Sequence, residues 1–141
     1  MRIRCIALDL DRTTLNSEGH LSEKNRRAIE RAISSGIQIA VASGRSLNSL
    51  PGEVLEIPGI RYAITSNGAA VYDLKGKICL RQYKLKAEAV RDILRATEGE
   101  DVTFEAFIDG KPYAEKAYVE DPVRCLGRSR TYREPGSRLR I

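Results

Sequence analysis

Two aspartates separated by one residue, Asp9 and Asp11, stand where the apolar run Ile3 to Leu8 stops. On an extended chain residues i and i+2 leave the same face, so both carboxylates would project together from the C-terminal end of a strand. Like charges held this close raise one another's pKa or recruit a cation, and a divalent metal with oxygen ligands is the economical partner. A polar loop after a core strand is the plain alternative. A second polar cluster, Ser43-Gly44-Arg45-Ser46, follows the apolar run Ile37 to Ala42. Its hydroxyl, and a glycine whose backbone amide can be approached closely, suit a phosphate oxygen, although Ser-Gly-Arg alone is a commonplace turn. A third apolar run, Ile60 to Ser66, ends at Asn67-Gly68. That pair marks a two-residue hairpin turn with positive φ.

The elements that would position these groups read as a parallel α/β beginning. Ile3 to Leu8 lacks polar alternation, as expected of a strand covered on both faces. Ser22 is a good N-cap for a helix over about Glu23 to Ser35, with Ala28, Ile29, Ala32 and Ile33 as its apolar stripe. Gly36 falls where a helix end favours a left-handed residue. The strand Ile37 to Ala42 then completes a right-handed crossover, and in such open sheets ligands bind at the C-terminal strand ends. Leu47 to Ile57 reads as a short or broken helix, interrupted by Pro51-Gly52 and closed by Pro58-Gly59. Beyond Asn67-Gly68 the pattern gives a strand from Ala69 to Tyr72, a turn at Lys75-Gly76-Lys77 and a strand from Ile78 to Tyr83. A helix over about Lys86 to Glu98 carries Val90, Ile93 and Leu94 on one face, with Gly99 after it. Val102 to Ile108 and Tyr113 to Tyr118 flank Asp109-Gly110 as another hairpin. The second half therefore reads as α+β.

A hydrophobic strand followed by Asp-x-Asp-x-Thr resembles the first motif of the haloacid dehalogenase (HAD) superfamily, whose members are mostly magnesium-dependent phosphatases. The resemblance implies that Asp9 is the nucleophile attacking phosphorus and Asp11 the general acid/base, with Thr13 at the matching threonine; Arg12 departs from the glycine usual there. Ser43 matches the second motif, a hydroxyl that hydrogen-bonds the transferring phosphoryl group. The following Gly-Arg is similar to the Cof-type branch, so Gly44 would supply backbone contact and Arg45 would pair with substrate or order the loop. Strand-Asn-Gly-Ala-strand also resembles a Cof-type segment near the active site, which makes Asn67 a substrate-site candidate. The implied fold is α/β. Residues 1–79 would form part of a HAD-like Rossmannoid core ending in a β-hairpin, 80–122 part of an α+β cap, and 123–141 a basic tail. By the same resemblance Mg2+ would be held by the Asp9 carboxylate and the Asp11 main-chain carbonyl. The substrate would be a small phosphorylated metabolite, such as a sugar phosphate, cleaved through an aspartyl-phosphate intermediate.

Family members are longer than this chain. After the cap they supply a lysine that steadies nucleophile and phosphate, then an acidic Gly-Asp-type motif that completes the metal site. Lys75, Lys77, Lys84 and Lys86 lie too early for that role, and no Gly-Asp-x-x-x-Asp run follows. The first strand, central in the family's sheet, would become an edge here, and an apolar edge invites association. The expectation is a homodimer that covers it or a missing C-terminal portion, with a truncated, non-catalytic phosphate-binding protein as the alternative function.

Composition agrees with one globular domain: 141 residues, 42% hydrophobic and 30% charged. No apolar run approaches the ~20 residues that span a bilayer, and no signal-peptide pattern opens the chain, so a cytoplasmic protein without membrane partners is expected. Cys5, Cys79 and Cys125 lack a C-x-x-C spacing and fit reduced thiols. His20, the only histidine, cannot form a metal cluster by itself and is expected in a surface loop. The net charge of +5 resides wholly in residues 124–141, with six arginines against one glutamate; the rest balances at 18 basic and 18 acidic groups. With Tyr132 as its single aromatic, this stretch reads as a solvated tail rather than a nucleic-acid-binding segment.

Overall fold

The computed structural model describes residues 2–102 and 104–114. The basic tail, Cys125 and residues 115–118 of the last expected strand lie outside the described residues. The chain divides into two compact units, one ending at Gln82 and the next beginning at Tyr83.

The first unit holds one sheet of five strands, β1 (Cys5–Asp9), β2 (Gln38–Ala42), β3 (Ile60–Thr65), β4 (Ala70–Asp73) and β5 (Ile78–Gln82), in that spatial order. The first three run parallel, and β3, β4 and β5 form an antiparallel meander. Helix α1 (Glu23–Ser34) makes the crossover from β1 to β2. A 3-10 turn at Leu47–Ser49 and the short α2 (Gly52–Leu55) lead to β3, which accounts for the broken-helix pattern around Pro51. Ser22 caps α1, its Oγ accepting the Asn25 amide at 3.2 Å, and Gly36 beyond the helix has φ +79. Ile39 and Val41, two apart on β2, share one sheet face, and Leu10, Ile29, Val54 and Ile57 belong to the same buried cluster.

Several expectations change. Ile3 is exposed and outside β1, and β1 alternates exposed and half-buried residues instead of being covered on both faces. As expected, among the described residues β1 pairs with β2 only, at the sheet edge. Ile6 and Leu8 share one face and pack against the core, while Cys5 and Ala7 on the other face are exposed. Ala28 is exposed. Arg26, one turn before Ile29, occupies the inner face instead, its Nη2 donating to the Glu53 carbonyl at 2.9 Å. The β3-β4 hairpin is wider than Asn67-Gly68 alone would make it, because strand pairing stops at Thr65 and Ala70. The Ser66 amide is drawn instead to the Arg45 carbonyl at 2.9 Å, and Ser66, Asn67 and Gly68 all take positive φ (51, 55 and 92). His20 lies exposed in the loop between Leu15 and Leu21, as expected.

The β4-β5 turn is organised by Asp73, which is buried. Its Oδ1 accepts the Lys75 and Gly76 amides, each at 3.0 Å, and its Oδ2 accepts Arg61 Nε at 3.2 Å and Nη2 at 3.0 Å. The Gly76 amide first, and then the Arg61 guanidinium, hold the Asp73 carboxyl below the ordinary aspartate value of 3.8. A carboxylate with a lowered folded-state pKa contributes stability above its unfolded-state pKa and loses it as pH falls through the folded one. Asp73→Asn is expected to lower Tm at neutral pH and to flatten the decline in Tm below about pH 4. Melts across the acid range check this, and parallel curves for variant and parent would contradict it.

The second unit contains α3 (Ala87–Ala96) and the hairpin β6 (Glu105–Ile108) with β7 (Lys111–Ala114). Ile108 pairs with Lys111, so Asp109-Gly110 is a two-residue turn, with φ 49 and 81. Lys84 Nζ lies 3.2 Å from Asp109 Oδ1. The strand expected from Val102 begins only at Glu105, with Val102 exposed. On α3, Val90 is half-buried, while Ile93 and Leu94 remain exposed. Among the described residues, no helix is long and apolar enough to cross a membrane.

Candidate active site

At the end of β1 the chain enters a wide turn, Leu10–Thr14, closed by the Leu15 amide donating to the Leu10 carbonyl at 2.8 Å. Leu10 is 0% exposed and anchors this turn in the core, whereas Asp9 and Asp11 on either side are exposed. Thr13 Oγ1 donates to Asp9 Oδ2 at 2.7 Å, which fixes the carboxylate and leaves Oδ1 for a second partner. Arg12, at the position where a glycine was expected, takes φ 58 and ψ 13. Left-handed backbone costs a non-glycine residue roughly 1 kcal/mol, so the departure strains the main chain. The turn is tied to α1 by Asn25 Nδ2, which donates to the Thr14 carbonyl at 2.8 Å.

Ser43 follows β2 and is buried. Its amide donates to the Ile64 carbonyl of β3 at 2.9 Å, and its Oγ accepts the Arg45 amide at 3.2 Å. A hydroxyl that accepts in this way keeps its own proton to donate. Gly44 lies against the β3-β4 turn. A Cβ there would come within 2.8 Å of Asn67 Oδ1, so the glycine is what lets the Asn67 amide lie close. Arg45 reaches the other way: Nη2 donates to Asp11 Oδ1 at 2.6 Å and Nε to Oδ2 at 3.1 Å. Its Nη1 also donates to the Ser49 carbonyl at 3.2 Å.

The structure therefore brings the expected residues together in pairs: Asp9 with Thr13, Asp11 with Arg45, Ser43 with Arg45, and Gly44 with Asn67. Sequence reasoning missed two polar residues nearby, Ser49 and Thr65, and gave Ser46 no role of its own. Ser46 and Ser49 join their hydroxyls at 2.8 Å. Thr65, 1% exposed at the end of β3, has an Oγ1 without a hydrogen-bond partner among the described residues. The signal for Thr65 was the same as for Ser43, a hydroxyl closing an apolar strand.

Among the described residues no three His, Cys, Asp or Glu side chains converge on a metal position. Magnesium does not need such a cage. It keeps several waters and takes one or two carboxylates together with substrate phosphate. The Asp9 carboxylate and the Asp11 main-chain carbonyl are oxygen donors of that kind, so the residues present fit a partly hydrated magnesium ion.

A family model described as haloacid dehalogenase-like hydrolase matches residues 6–135. The 5-amino-6-(5-phospho-D-ribitylamino)uracil phosphatase YwtE of Bacillus subtilis (strain 168) is 32% identical over 109 residues, 76% of this chain and 36% of that protein. Phosphatase YwpJ of the same organism is 33% identical over 112 residues, 79% of this chain and 39% of that protein. The solved structure of a haloacid dehalogenase-like hydrolase from B. subtilis superposes with a TM-score of 0.68 at 30% identity, covering 79% of this chain and 39% of that one. This chain thus spans less than two fifths of the length of these relatives. With a five-stranded α/β sheet whose parallel strand ends carry Asp9-x-Asp11-x-Thr13 and Ser43-Gly44-Arg45, and a family match over most of its residues, the chain belongs to the haloacid dehalogenase-like hydrolase family, in its Cof-type branch.

Proposed function

We propose that this chain carries the nucleophilic part of a magnesium-dependent phosphatase site that cleaves a small phosphate monoester through an aspartyl-phosphate intermediate. The observation that carries the reading is the Asp9 carboxylate, fixed on one oxygen by Thr13 at 2.7 Å at the C-terminal end of β1. Asp9 Oδ1 attacks phosphorus, and the bond from phosphorus to the ester oxygen breaks. Asp11 gives a proton to that oxygen, and then takes one from the water that attacks the aspartyl phosphate, releasing inorganic phosphate and restoring Asp9. The Ser43 hydroxyl donates to a phosphoryl oxygen. The Asp9 carboxylate and the Asp11 main-chain carbonyl would hold magnesium, which would supply positive charge against the combined negative charge of phosphate and nucleophile.

Two relatives are named as phosphatases of 5-amino-6-(5-phospho-D-ribitylamino)uracil, a phosphate monoester on a sugar-like chain. They support a sugar phosphate or sugar-alcohol phosphate as the substrate class. Release of inorganic phosphate from an aryl phosphate and from a panel of sugar phosphates, with and without magnesium, tests the reading. Magnesium-dependent release is expected, and its absence with a folded chain across the panel would contradict it.

A further inference from the structure

Both oxygens of the Asp11 carboxylate are held by one guanidinium, at 2.6 and 3.1 Å from Arg45. A planar fork of this kind matches a carboxylate and a phosphate equally well. A carboxylate in such a fork only accepts hydrogen bonds, so Asp11 must leave it to carry a proton to a leaving group. The two partners are unequally fixed. Arg45 has its side chain 13% exposed, its Nη1 on the Ser49 carbonyl, its amide on Ser43 Oγ and its carbonyl on the Ser66 amide. The Asp11 side chain is 51% exposed, on a turn whose next residue is left-handed. The guanidinium is thus the more buried and anchored of the two, and the Asp11 side chain the more exposed.

We propose that the Arg45 fork is one anion seat used in turn by two occupants: the Asp11 carboxylate holds it at rest, and an oxyanion of a phosphate ligand displaces it and frees Asp11. The inference rests on the reading of these strand ends as a phosphate site. Exchange keeps the seat neutralised throughout, whereas Asp11 leaving alone would strand a largely buried guanidinium. The proton carrier is thereby parked until ligand arrives. The resting occupant also competes with the ligand, and apparent affinity falls with the fraction of the binding-competent state.

Calorimetric titration with inorganic phosphate in the presence of magnesium tests this on the wild type, Asp11→Ala, Arg45→Lys and the double variant. Asp11→Ala is expected to tighten phosphate binding about 10-fold when Arg45 is present and less than about 2-fold in the Arg45→Lys background. Relief of charge repulsion alone would give equal gains in both backgrounds and would overturn the exchange, as would absence of phosphate binding in all four proteins. Should Arg45→Lys fail to fold, the Arg45 Nε–H resonance provides the second readout. It is expected to move on adding phosphate to Asp11→Ala, and an unmoved resonance overturns the proposal. Coupled binding without ester hydrolysis would leave the exchange standing and remove the phosphatase reading; hydrolysis without coupling would do the reverse.

Discussion

Asp9→Asn is expected to reduce magnesium-dependent ester hydrolysis by at least about 1,000-fold, since loss of a covalent nucleophile costs more than loss of one hydrogen-bonding group. The substitution keeps the size of the side chain and an oxygen that can accept the Thr13 hydroxyl, which donates to Asp9 at 2.7 Å. The fold should therefore survive, and Tm should stay close to that of the parent. Steady-state release of phosphate beside a thermal melt separates chemistry from stability. A variant that retains a tenth of the parent's rate would place the nucleophile elsewhere.

Leu10→Ala should produce the largest loss of stability. Leu10 is 0% exposed, lies in the central cluster with Ile39 and Val41, and separates the two aspartates. Truncating a fully buried leucine costs about 2–5 kcal/mol, a large part of the ~5–15 kcal/mol that a domain possesses. The same change frees the turn that presents Asp9 and Asp11, so the surviving folded fraction should bind and turn over ligand poorly. Denaturant unfolding followed by circular dichroism measures the loss. Leu80→Ala on β5, where the side chain is 50% exposed, is the control, with an expected change within about 0.5 kcal/mol. Equal effects at the two positions would contradict the assigned role of Leu10.

The parts of this site that sequence makes legible are those written in local pattern. Apolar runs stop at Asp9 and at Ser43, and a helix with a clear cap and a clear C-terminal glycine separates them. A crossover then brings both polar ends to one edge of a parallel sheet. What local pattern cannot carry is pairing across distance. Arg45 and Asp11 are 34 residues apart, and their fork depends on side-chain torsions and on the Ser49 carbonyl that anchors the guanidinium. The widened Asn67 turn has the same origin, because the Ser66 amide is taken by the Arg45 carbonyl, a partner from another loop. The uneven burial of β1 follows from which face is covered: Ile6 and Leu8 pack against the cluster that holds Ile29 of α1 and Val54 of α2, whereas Cys5 and Ala7 on the other face are exposed, a difference that hydrophobicity alone does not reveal.

The most direct measurement is mass spectrometry of the chain quenched in acid during turnover of an aryl phosphate with magnesium. The expected result is a phosphoryl group on the peptide that contains Asp9, absent from the Asp9→Asn variant treated in the same way. Sustained turnover with the phosphoryl group on a different residue, or on none, would contradict Asp9 as the nucleophile and the reaction built on it.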